Sequence, residues 1–262
     1  MKEININKQT NCKTTMFPDK CPHIRVDADL ENEEVRVTCS LVDSNSLILL
    51  LQCSEALDGL FAKKKELVIP YLMGARYDRR MQKGDGIDLK VVATLINSCN
   101  FERVYLYDVH SDVASVLINN SINISNKVLV ESYNKENAVL ICPDSGASKK
   151  VDGILKLNPL ITEVVYCTKS RNLSDGKITL KVLTPEKCED RNCVIIDDLC
   201  DGGGTFLAIA SQINPKHLTL VVTHAIFSNG IEIFEEGFDS LIISDSYQKC
   251  SSKIINQIEF KL

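Results

Sequence analysis

No apolar run in this chain approaches bilayer length. The longest, such as residues 47–51, fall far short of the about 20 residues that a spanning helix needs, so no membrane role is expected. An excess of basic charge is also missing. The 30 Lys and Arg stand against 35 Asp and Glu, a formal net charge of −5, which argues against a nucleic-acid partner. The 11 cysteines, an odd number, include no Cys-x-x-Cys pair, and no Cys/His group has zinc-ligand spacing. No signal peptide is legible ahead of them. The expectation is reduced thiols, many of them small core residues, in a cytoplasmic protein. An Asn-x-Ser match at Asn123 carries no weight in that compartment.

What is present is ordinary in bulk and unusual in one place. With 44% hydrophobic and 25% charged residues over 262 positions, the chain reads as a soluble globular protein of one large or two modest domains. The informative stretch is Val194-Ile195-Ile196-Asp197-Asp198-Leu199-Cys200-Asp201-Gly202-Gly203-Gly204-Thr205. An apolar run ends in adjacent carboxylates, and a glycine loop then leads into a helix-like segment. Backbone N–H groups of such a loop, helped by the helix dipole, can wrap a phosphate. The acid pair can accept hydrogen bonds from vicinal sugar hydroxyls, so the ligand that fits is a ribose carrying a 5-phosphate. The plainer reading is a strand–turn–helix junction whose glycines only tighten a turn. Adjacent acids weigh against it, because a buried pair repels itself and is costly to desolvate unless something uses it.

Around this motif, short apolar runs alternate with helix-like segments. Strands are expected at 35–39, 46–52, 66–70, 103–108, 138–142, 163–167, 193–197, 218–225, 240–244 and 254–260. Helices are expected at 88–98, 145–155 and 204–213. Asp88 reads as an N-cap ahead of the stripe Leu89, Val92, Leu95 and Ile96. The alternation implies an α/β fold, with mainly parallel sheets covered by helices. The polar stretch 121–135 suggests a break, giving domains at 1–125 and 126–262.

Five ordered motifs narrow the reading. They are Ile69-Pro70-Tyr71 with Gly74-Ala75-Arg76-Tyr77-Asp78-Arg79-Arg80, then Asp108-Val109-His110-Ser111-Asp112, then Pro143-Asp144-Ser145-Gly146-Ala147, then the acid–glycine motif, and finally Thr223-His224-Ala225-Ile226-Phe227-Ser228. Together they resemble the ribose-phosphate pyrophosphokinase (phosphoribosyl pyrophosphate synthetase) family, in family order from about Phe17 to Asp245.

The resemblance implies two phosphoribosyltransferase-like domains, the first binding ATP and the second a ribose phosphate. It implies Mg²⁺-dependent transfer of diphosphate from ATP to the anomeric hydroxyl of a ribose 5-phosphate unit, with release of AMP. Asp197 and Asp198 would hold the ribose hydroxyls. Asp201, Gly202, Gly203, Gly204 and Thr205 would cradle the 5-phosphate. Lys169 and Arg171, in a polar loop reaching to Gly176, match the family's catalytic Lys-x-Arg, and His110 would join them at the ATP phosphates. Metal ligation falls to His110 and Asp144. The ATP site would comprise Phe17, Asp19, Arg76, Tyr77, Asp78 and His110, with Phe17 acting across a subunit interface. A homodimer or higher homo-oligomer is therefore implied.

Several positions depart from the family pattern. Gly202 stands where threonine is usual, Tyr77 for glutamine, Cys21 for glutamate and Ala147 for glycine. Gly202 removes a hydroxyl donor and should open space beside the phosphate. That raises an alternative acceptor, ADP-ribose, whose phosphodiester needs such room and whose product would be ADP-ribose 1-pyrophosphate for NAD synthesis. Two other classes stay open: a transferase using phosphoribosyl pyrophosphate on a base, and a non-catalytic regulatory paralogue.

Overall fold

The computed structural model describes residues 1–171 and 178–262, with the side chains of 170, 171, 178 and 179 outside that description. The chain packs as two compact units, Met1–Ser125 and Asn126–Lys261. In the first, five parallel strands form a sheet in the order β1 (Lys2–Asn5), β4 (Glu34–Thr38), β5 (Lys64–Ile69), β6 (Arg103–Tyr107) and β7 (Ser121–Ile124). A separate antiparallel hairpin joins β2 (Cys12–Met16) to β3 (Pro22–Val26). Helices α1 (Ser44–Gly59), α2 (Asp88–Ser98) and α3 (Val113–Leu117) belong to this unit.

The second unit carries a seven-stranded sheet. Its order is β10 (Ile178–Val182), β9 (Ile161–Arg171), β8 (Ala138–Cys142), β11 (Asn192–Cys200), β12 (His217–Ala225), β13 (Ser240–Ser244) and β14 (Ile255–Ile258). All neighbours are parallel except β9 and β10. Its helices are α4 (Lys127–Ser132), α5 (Val151–Leu157) and α6 (Gly204–Ala210). The α/β class is thus as strand–helix alternation predicts. Parallel strands place their carboxyl ends along one edge, where ligand loops of open α/β sheets lie. Among the described residues, no helix is long and apolar enough to cross a membrane.

The sheets are held by cores that the apolar runs supply. Every residue of β8 is buried, which is what a central strand covered on both faces requires. Val194, Ile195, Leu220 and Leu241 are all buried to 0% exposure on three adjacent strands, and each such side chain contributes about 1.5–3 kcal/mol of burial.

The structure corrects several expectations. The segment 46–52 is not a strand but the front of α1. A short apolar run has no period of its own, and the local capping decides it. Asp43 Oδ1 accepts from Ser46 N at 2.8 Å and Ser46 Oγ accepts from Asp43 N at 3.0 Å, a capping box. Burial then recurs at Leu47, Leu50, Ser54 and Leu57, a helical spacing. Asp88 is the first residue of α2 rather than its cap. The capping position is Ile87, extended and without a side-chain cap bond, so Asp88 acts through its charge in the first turn.

Elsewhere, the expected helix 145–155 is a 3₁₀ turn, Ala147–Lys150, running into α5, and α6 stops at Ala210. The stretch 121–135 holds the edge strand β7 and α4, where Leu129 and Val130 are the buried anchors. The residues directly after Cys167 are not loop. Strand β9 continues to Arg171 and pairs with β10, with Lys169 opposite Leu180. The remainder of that expected loop, 172–177, lies outside the described residues.

Candidate functional site

In the second unit the acid–glycine motif takes a defined shape. Strand β11 runs through both acids, with Asp197 opposite Val222 and Cys200 opposite Ala225. Gly203 caps α6 at φ 78°, in the left-handed region, and a Cβ there would lie 2.5 Å from Phe234 Cζ. Glycine is therefore required twice over, by conformation and by packing. Gly204, by contrast, faces open space. Thr205 stands in the first turn of α6, and Lys169 Nζ donates to its Oγ1 at 3.3 Å. Two residues read from separate motifs thus meet. The side chain of Arg171, the other expected catalytic group, lies outside the description.

The acid pair is electrostatically asymmetric. Asp198 is buried at 6% exposure, and Lys150 Nζ donates to its Oδ1 at 3.3 Å. Asp197 accepts the Asp198 backbone N–H at 2.9 Å. Burial first, and then the adjacent Asp198 charge, push the Asp197 carboxyl well above the ordinary aspartate range, while Lys150 pulls it back. One acid is paired with a cation, and its neighbour takes a proton readily.

Asp144 follows β8, the strand beside β11. Its Oδ1 accepts from Gly146 N at 2.9 Å and Ala147 N at 3.0 Å, so this carboxylate also shapes its own turn. His110, the other expected metal ligand, belongs to the first unit. Among the described residues, no group of three or more His, Cys, Asp and Glu is placed to hold a metal ion.

The Thr223–Ser228 segment closes over the glycine loop. Cys200 O accepts from Ile226 N at 2.9 Å and Phe227 N at 3.2 Å, and Asp201 O accepts from Ser228 N at 3.2 Å. His224 has a structural place at 3% exposure. His224 Nδ1 and Ser246 Oγ share a hydrogen bond of 2.9 Å, and Ser246 Oγ lies 3.0 Å from Thr223 O, which anchors the ring in the core. The space expected beside Gly202 is absent. A Cβ at that position would lie 2.8 Å from Asn229 Nδ2, which itself donates to Gly202 O at 3.1 Å.

In the first unit, the segment after β5 turns at Gly74, φ 76°, where a Cβ would press 3.2 Å from the backbone entering α2. Arg76 and Tyr77 are exposed and Asp78 is half-buried. Ser111 Oγ, one residue past the exposed His110, donates to Asp78 Oδ2 at 2.6 Å. That bond draws the histidine loop and the Arg76–Asp78 segment together. Phe17 and Asp19 occupy the tip of the β2–β3 hairpin. Phe17 is 48% exposed, with its ring 5.8 Å from His23, and Asp19 Oδ1 accepts from Cys21 N at 3.0 Å.

Three residues carried no assigned role in the sequence: Lys150, Ser111 and Asn229. The available signals were weak. Lys149-Lys150 is a basic pair after the Pro-Asp turn, and Asn229 directly follows the Phe-Ser pair.

Known proteins are similar to this chain. The sequence profile for the N-terminal domain of ribose phosphate pyrophosphokinase matches residues 2–99, and that for the phosphoribosyl transferase domain matches residues 115–246. The chain is 29% identical over 261 residues to the ribose-phosphate pyrophosphokinase of Mycoplasma genitalium, covering 93% of this chain and 77% of that protein. It is 28% identical over 264 residues to the ribose-phosphate pyrophosphokinase of Methanobrevibacter smithii, covering 92% and 87%. The crystal structure of phosphoribosylpyrophosphate synthetase from Mycobacterium smegmatis superposes with a TM-score of 0.78 at 17% identity, over 99% of this chain and 95% of that one, a likeness of fold.

Proposed function

Since the chain belongs to the ribose-phosphate pyrophosphokinase family of transferases, we propose that it moves an intact diphosphate from ATP to the anomeric hydroxyl of ribose 5-phosphate. The hydroxyl oxygen attacks the β-phosphorus. The bond from that phosphorus to the α,β-bridging oxygen breaks, AMP leaves with that oxygen, and the hydroxyl proton passes to solvent or a nearby base. Such a step asks the protein mainly for positioning and for neutralisation of charge.

The observation that carries this reading is the contact of Lys169 Nζ with Thr205 Oγ1 at 3.3 Å. It brings a cation to the loop suited to hold a ribose phosphate. Asp197 and Asp198 hold the sugar hydroxyls, and Lys150, donating to Asp198 Oδ1 at 3.3 Å, orients it for that role. Asp201 through Thr205 cradle the 5-phosphate. Phe17, Asp19, Arg76, Tyr77, Asp78 and His110 take ATP, and Lys169 with Arg171 faces the transferred group.

Mg²⁺ fits this donor set in one way. Hard carboxylate oxygens at Asp144 and the acid pair are of the right type, but the described residues build no closed cage. That suits an ion held largely by substrate phosphates and water, with Asp144 and His110 as the protein's contributions. When bound, it would neutralise charge on the transferred phosphates. A homodimer or larger assembly, completed at the ATP site by the Phe17 hairpin, belongs to the same proposal.

Ribose 5-phosphate is preferred over ADP-ribose as acceptor because the relatives that the chain matches are named ribose-phosphate pyrophosphokinases, and the Asn229 amide stands in the Cβ direction of Gly202. The test is AMP release from Mg-ATP by the purified protein, with ribose 5-phosphate, ADP-ribose or a free nucleobase supplied separately. The expected result is AMP with ribose 5-phosphate alone. AMP only with ADP-ribose would move the acceptor assignment. AMP with none would leave a binding or regulatory protein.

A further inference from the structure

We infer that Asn229 is a specificity-determining positioning residue of the phosphate loop, its amide standing where a side chain of residue 202 would otherwise stand. This rests on the acceptor reading above and adds to it a residue from outside the acid–glycine motif. Three observations converge. The ideal Cβ direction of Gly202 ends 2.8 Å from Asn229 Nδ2 and 3.6 Å from Ser228 Oγ, so that volume is already taken. Asn229 Nδ2 donates to Gly202 O at 3.1 Å. The segment carrying Asn229 is fastened to the loop by Ser228 N donating to Asp201 O at 3.2 Å.

Chemically, a loop that binds an anion must turn its N–H groups toward the ligand and its carbonyls away. A primary amide has two N–H donors. One of them holds the Gly202 carbonyl and so fixes the peptide plane that leads into Gly203. Gly202 does not occupy the left-handed region, unlike Gly203 at φ 78°, so its backbone would accept a side chain. Only Asn229 stands in the way. Gly202 and Asn229 are therefore a matched pair, each residue setting what the other can be.

The test is calorimetric titration of ribose 5-phosphate into the full chain, together with KM values for both substrates. Asn229→Ala is expected to weaken ribose 5-phosphate binding about tenfold, because the Gly202 peptide plane loses the hydrogen bond that fixes it, while the KM for ATP stays within about twofold. Asn229→Asp, isosteric but anionic, is expected to weaken it about a hundredfold. Gly202→Ser is expected to bind poorly, and Gly202→Ser combined with Asn229→Gly to recover, so that the double loss is smaller than the product of the single losses. Unchanged binding in Asn229→Ala, or multiplicative losses in the double variant, overturns the inference. Should Gly202→Ser fail to fold, the Ala and Asp variants still decide. A wild type that binds no ribose 5-phosphate removes the acceptor reading and this inference with it. A wild type that binds it no better than Asn229→Ala overturns this inference alone.

Discussion

Lys169 on β9 and Thr205 on the first turn of α6 are joined by a hydrogen bond of 3.3 Å from Nζ to Oγ1. The bond crosses from strand β9 to the helix that follows the glycine loop after β11. It places a cation within one side-chain length of the phosphate cradle, without burying it, since Lys169 is exposed.

Removing that cation should cost turnover and little else. Lys169→Ala is expected to lower kcat about 100-fold or more, the scale of losing one group that stabilises transition-state charge. The melting temperature should move by less than about 2 °C, because an exposed polar contact contributes little to stability. Steady-state AMP release and a thermal melt check both. A kcat within threefold of wild type would contradict the catalytic assignment.

The raised Asp197 predicts a pH dependence whose sign is fixed. Its folded-state value lies above that of an unfolded aspartate, so the folded chain binds the extra proton between the two values. That stabilisation is fully present below the unfolded value and is lost as pH rises through the folded one. The ligand-free protein should therefore melt lower as the pH climbs through this window. Asp197→Asn removes the effect, flattening this part of the profile and raising the melting temperature at its alkaline end by about 2–4 °C. The same variant should lose ribose 5-phosphate binding. A profile that Asp197→Asn leaves unaltered would contradict the electrostatic account of the pair.

Neighbouring glycines should differ sharply. Gly203→Ala must adopt φ 78° and push into the Phe234 ring, 2.5 Å from the new Cβ. Left-handed strain and overpacking together set a loss of about 2–4 kcal/mol. Gly204→Ala meets nothing within 4 Å and enters a helix, so its stability should change by less than about 1 kcal/mol. Urea denaturation of the two variants makes the comparison, and equal losses would argue against the observed loop geometry.

Asp43→Ala should destabilise the first unit by about 0.5–2 kcal/mol through loss of the α1 capping box. Circular dichroism during denaturation reads it. No change would mean that Asp43 does not start this helix.

How much of this was legible depended on whether the signal was local. Asp197, Asp198 and the glycines after them are contiguous, so strand, acids and cradle could be read as one chemical unit. Helix α2 was legible because Leu89, Val92 and Ile96 repeat at helical spacing. Helix α1 was not, since the run 47–51 is apolar at every position and the Asp43–Ser46 bonds decide its type. Lys150 and Asn229 were invisible as partners because tertiary packing brings them in, 48 positions from Asp198 and 27 from Gly202. The room expected beside Gly202 failed for the same reason, because a missing side chain does not reveal which neighbour fills its volume.

The most direct measurement follows the phosphates themselves. ATP labelled in its β- and γ-phosphoryl groups is incubated with Mg²⁺, ribose 5-phosphate and the protein, and the products are separated and read by phosphorus NMR. The account predicts unlabelled AMP and both labels together as a diphosphate on the sugar's anomeric carbon. Label appearing in ADP or in inorganic phosphate, with no diphosphorylated sugar, would contradict it.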